Sequence, residues 1–109
     1  IKIEIRKILH AKSFGPVPKE SPLIQALATN WQSILKEQGE LPVHGVPLYT
    51  DARHFFAAGI PTVMFGVGPK VLEEANGHRA DENIRLSDLQ AATKIIACTL
   101  YDLLAGGNP

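Results

Sequence analysis

Apolar and polar positions alternate strictly at the start of the chain. Ile1, Ile3 and Ile5 fall on one face, Lys2, Glu4 and Arg6 on the other. A period of two belongs to a strand with one buried face, and it predicts such a strand over residues 1–9. Between Ser13 and Pro22, three prolines and Gly15 interrupt the pattern and predict a connection without regular structure. The period then changes to that of a helix. Leu23, Leu27, Trp31, Ile34 and Leu35 recur at helical spacing behind Ser21-Pro22, a capping hydroxyl followed by a proline at the first helical position. Gly39 stands where a left-handed residue would close that helix. Residues 43–49 and 62–65 are short apolar runs of strand length. Residues 52–58 lie between them and predict a short helix, capped by Thr50 or Asp51 and closed by Gly59. A polar loop follows Gly66-Val67-Gly68-Pro69. Ser87 and Gln90 then have the spacing of a capping box. Leu86, Leu89, Thr93, Ile96, Leu100 and Leu103 mark the expected buried face of a last helix, which runs to Gly106-Gly107.

Strands alternating with helices predict an α/β fold, part of a mixed or parallel sheet with helices packed on it. The runs at 43–49 and 62–65 want cover on both faces, as in a parallel sheet. Three strands make that sheet thin. The chain also opens inside a strand, with neither a Met nor a charged stretch leading into an apolar one. Both features predict a piece of a longer chain.

Composition narrows the function. At 109 residues there is room for one domain at most. Eleven Lys and Arg balance eleven Asp and Glu, which argues against a nucleic-acid-binding surface or a polybasic membrane segment. Cys98 is the single cysteine, so an internal disulfide framework and a Cys-based zinc ribbon are excluded. Cys98, Trp31, Phe55 and Phe56 read as core residues.

The candidate chemistry sits after the apolar runs. Of four histidines, His78 stands out, in a polar loop past residues 62–65 with Asp81 and Glu82 close behind. Functional groups in open α/β sheets gather at the carboxyl ends of strands. From spacing alone, a solvated loop residue is the readier reading of His78. Asp51 reads as an N-cap. Arg53 is badly placed for the helix dipole and suits either a structural ion pair or a substrate carboxylate, which its planar fork grips bidentately. Gly66 and Gly68 would let backbone approach a ligand, or simply turn the chain.

Several blocks stand together in order: Thr50-Asp51-Ala52-Arg53-His54-Phe55, Gly59-Ile60-Pro61-Thr62-Val63, Phe65-Gly66-Val67-Gly68, and Gly77-His78 with Glu82, followed by Leu86, Asp88 and Leu89. In this arrangement, residues 13–109 resemble the C-terminal segment of the M20 metallopeptidases. That group includes acetylornithine deacetylase, succinyl-diaminopimelate desuccinylase, aminoacylase and carboxypeptidases. Two departures bear on substrate preference: Val67 stands where the family often has proline, and Leu48-Tyr49-Thr50 replaces a Gly-rich run.

The resemblance implies residues 1–12 as the last strand and exit of a lid domain that dimerises, and residues 13–109 as the C-terminal part of a dinuclear zinc catalytic domain. It implies hydrolysis of N-acyl amino acids or small peptides by a water shared between two divalent ions, zinc in the first instance, in a cytoplasmic homodimer. His78 matches the last metal ligand, Arg53 a substrate-carboxylate anchor, and Gly66 and Gly68 the floor of the active site. Asp51 and Glu82 take supporting parts, Glu82 as the acidic residue after the ligand histidine. The first histidine ligand, the bridging aspartate and the general-base glutamate of the family lie upstream of the lid. The 109 residues alone are therefore expected to be inactive and to bind zinc weakly. The hydrolytic role also expects His78 to face a cleft at the mouth of the sheet. A rival reading is a non-catalytic α/β module for association or ligand binding.

Overall fold

Ser21 and Pro22 open the first helix as the pattern predicts. In the computed structural model, which describes residues 1–8, 13–36, 38–45, 50–66, 68 and 72–106, α1 spans Pro22–Leu35. Ser21 is extended and its Oγ accepts the N–H of Ile24 at 3.4 Å, satisfying one of the donors a helix start leaves open. The helix closes earlier than Gly39. Lys36 takes the left-handed conformation (φ 55°), and the Gln32 side chain donates to the Gly39 carbonyl beyond it.

The second helix, α2, spans Ala52–Ala57. Its end is a Schellman closure. Ile60 N–H donates to the Phe55 carbonyl at 3.0 Å and Gly59 N–H to the Phe56 carbonyl at 2.9 Å, with Gly59 at φ 79°. A Cβ on Gly59 would meet nothing within 4 Å, so the requirement for glycine is conformational alone. Gly59→Ala is therefore expected to destabilise the α2 turn by roughly 1 kcal/mol, the strain of a left-handed L-residue. Urea denaturation of the two proteins measures it, and equal midpoints would contradict the assignment. The Pro-rich connection leans on this helix through Phe14 and Phe56, whose rings lie 5.7 Å apart.

A 3₁₀ turn at Leu72–Ala75 precedes α3, which spans Leu86–Leu104. The capping box at Ser87 does not form. Extended Arg85 is the cap residue, without a side-chain bond, and Ser87 lies inside the first turn. Gly106 (φ 65°) follows the last turn as expected.

α1 and α3 pack together and hold the core. Ile24 and Leu27 from α1 meet Ala92, Ile95 and Thr99 from α3, with Ile95 only 2% exposed. A polar clasp joins the same faces, as Asn30 Nδ2 donates to Asp102 Oδ2 at 2.8 Å and approaches Thr99 Oγ1 at 3.4 Å. The buried face of α3 is thus not the predicted one. Leu86, Leu89, Ile96, Leu100 and Leu103 are all exposed, and so is Cys98. Phe55 and Phe56 are exposed as well, whereas Trp31 is half-buried.

The expected α/β sheet is absent among the described residues. No strand occurs among the described residues, whose regular elements are all helical. In residues 1–8, Arg6 Nε reaches Glu4 Oε1 at 2.8 Å. Ile1, Ile3, Ile5 and Ile8 stand fully open to solvent. An alternating segment becomes a strand only when a neighbour takes its backbone N–H and C=O groups and covers its apolar face. Residues 62–65 form no strand either, although Thr62, Val63 and Phe65 are half-buried, while 46–49 of the second predicted strand lie outside the described residues. The accessible surface shows the shortfall. It is 9193 Å², against about 5,900 Å² for a compact domain of this mass. The radius of gyration is 17.4 Å, where a compact chain of this length has about 13 Å. No helix among the described residues is long and apolar enough to cross a membrane.

Candidate functional site

The predicted residues fall into two groups, each built by local backbone. The first lies at the start of α2. Thr50 Oγ1 accepts the N–H of Ala52 at 3.4 Å, while Asp51 makes no side-chain cap bond. Asp51 holds the N-cap position as expected, but of the two candidate caps it is the Thr50 hydroxyl that meets a helical N–H. Arg53 folds back over this start, its Nη1 donating to the Thr50 carbonyl at 3.0 Å and lying 3.5 Å from Asp51 Oδ1. The Arg53 side chain is 18% exposed and that of Asp51 85%. The pair thus joins a largely covered guanidinium to a solvated carboxylate, and solvent screening keeps such a pair weak.

The second group is the loop from the 3₁₀ turn to α3. Asn83 N–H donates to the Ala75 carbonyl at 3.0 Å and closes the loop at its base. Within it, Arg79 N–H donates to the Asn76 carbonyl and Glu82 N–H to the Arg79 carbonyl. Two non-glycine residues are left-handed here, Asn76 at φ 52° and His78 at φ 64°. Asn76 Nδ2 donates to Asp81 Oδ2 at 3.0 Å, and His78 N–H donates to Glu82 Oε2 at the same distance. Both carboxylates are therefore occupied in shaping the turn. Sequence reasoning missed Asn76, although Asn76-Gly77 is a turn dipeptide and Asn is among the side chains that tolerate left-handed backbone.

His78 is exposed at this turn. Among the described residues there is no sheet, and so no cleft at its mouth for His78 to face. The nearby hollow, about 330 Å³, is lined by Ala75, Glu82, Asn83 and Ile84. Gly66 and Gly68 are likewise exposed, and a Cβ on either would meet nothing within 4 Å. His44 and His54 are exposed, and His10 lies outside the described residues.

A catalytic zinc site takes three protein ligands. Among the described residues, no group of three or more His, Cys, Asp or Glu side chains could hold a metal ion. His78 offers one imidazole, and one oxygen each of Asp81 and Glu82 accepts an amide or backbone N–H. These residues do not make up a dinuclear site by themselves.

No curated protein and no solved structure matches the chain. The family model described as peptidase family M20/M25/M40 matches residues 2–102. That span runs from the alternating segment through α3 and takes in both residue groups, so the chain belongs to this peptidase family.

Proposed function

We propose that the chain serves a metal-dependent amidohydrolase or peptidase acting on N-acyl amino acids or small peptides, and that His78 is the imidazole it brings to a site completed by other polypeptide. The family match across residues 2–102 carries this reading. His78 stands exposed on its loop, without the cleft expected from the sequence, so the family match and not the local geometry carries the assignment. Arg53 is read as the anchor for a substrate carboxylate, with Gly66 and Gly68 beside the same site. Residues 1–12 are read as the exit from a lid domain through which two copies associate. The remaining ligands and the group that takes a proton from water are assigned to the rest of the catalytic domain. Zinc is the expected metal.

Zinc titration of the 109-residue chain, in competition with a chromophoric chelator, tests the shared site. One imidazole should bind weakly and without a stoichiometric end point. A tight one-to-one site on these residues would mean that the chain owns a metal centre, and the reading would fall.

A further inference from the structure

We infer that Glu82 is a positioning residue for His78, acting through the histidine's backbone rather than its ring. The inference rests on the reading of His78 as a metal ligand. Left-handed backbone is uncommon for a residue with a Cβ and persists where surrounding contacts over-determine it. At His78 the contact is specific. Glu82 Oε2 accepts its N–H at 3.0 Å while φ stands at 64°. A carboxylate is a strong acceptor for a backbone N–H.

Neighbouring bonds shape the same turn. Glu82 is itself fixed by its own N–H on the Arg79 carbonyl, and Asn83 N–H ties the loop to Ala75. Asp81 holds the other left-handed residue through the Asn76 amide. Fixing φ at His78 fixes its Cα–Cβ direction, and with it where the imidazole can reach. Ligand histidines are commonly oriented by an acceptor on the second ring nitrogen. Here the carboxylate four residues on sets the main chain that carries the ring.

Two measurements test this. In the 109-residue chain, Glu82→Ala should speed exchange of the His78 amide hydrogen, followed by NMR, by about tenfold, the loss of one charge-assisted bond. Glu82→Gln keeps a carbonyl acceptor and should stay within about threefold of the parent. In the metal-loaded enzyme containing this chain, Glu82→Ala should lower kcat by about tenfold with little change in KM, and Glu82→Gln should recover most of it. The inference is overturned by unchanged amide exchange in Glu82→Ala, by equal acceleration in both variants, or by an unchanged kcat in Glu82→Ala. His78→Gly separates the two failures. Full activity in that variant would refute His78 as a ligand and leave the amide result standing.

Discussion

His78→Gly, made in the enzyme that contains this chain, is expected to lower kcat by about a thousandfold and to reduce the bound metal. A catalytic ion contributes several kcal/mol, and each 1.36 kcal/mol is a decade in rate. Glycine is the informative replacement because the backbone at His78 is left-handed, φ 64°. Alanine would remove the ring but keep the Cβ, and with it the left-handed strain that His78 already bears, whereas glycine removes both. Glycine takes the same φ without penalty, so the loop closed by Asn83 and Ala75 is kept while the imidazole goes. His78→Asn is a useful companion, since asparagine tolerates this backbone and supplies only a weak amide ligand. The comparison to make is kcat at saturating substrate alongside metal content by elemental analysis. A glycine variant with the parent's rate and full metal content would end the assignment of His78.

What could be read from the sequence was local. Ser21-Pro22 starts α1, Gly59 closes α2 and Gly106 follows α3, because caps and left-handed closures depend on residues within one turn. Even here the limits were local ones. Lys36 took the left-handed position instead of Gly39, and Arg85 rather than Ser87 preceded α3. The sheet was not legible, because the alternation of Ile1, Ile3 and Ile5 states only that one face would gain from cover. Whether a strand forms depends on a partner far away in sequence or outside it. The candidate site divides the same way. The histidine loop was marked by its residue types. The use of Glu82 on a main-chain N–H depends on the path of the turn, which its spacing from His78 does not reveal.

Helix α3 poses the sharpest conflict between pattern and packing, and two adjacent isoleucines resolve it. The apolar stripe containing Leu89, Ile96, Leu100 and Leu103 predicts Ile96 as a core residue. The structure instead buries Ile95 to 2% and leaves Ile96 40% exposed. Ile95→Ala should destabilise the chain by about 2–5 kcal/mol, the range for truncating a buried isoleucine and leaving a cavity. Ile96→Ala removes the same atoms from a site already in contact with water and should change stability by about 1 kcal/mol or less. The contrast is magnified by how little else holds the helices together. The described apolar core is Ile24, Leu27, Ala92 and Ile95, backed by the Asn30–Asp102 clasp. With native stabilities of only about 5–15 kcal/mol in ordinary domains, a core this small has no reserve. Ile95→Ala should thus lose most of its cooperative helix signal at 222 nm in low urea, whereas Ile96→Ala should unfold close to the parent's midpoint. Equal losses in the two variants would mean that α3 buries its outer stripe as well. A larger loss for Ile96→Ala would mean that the helix packs on α1 through the face the sequence pattern marked.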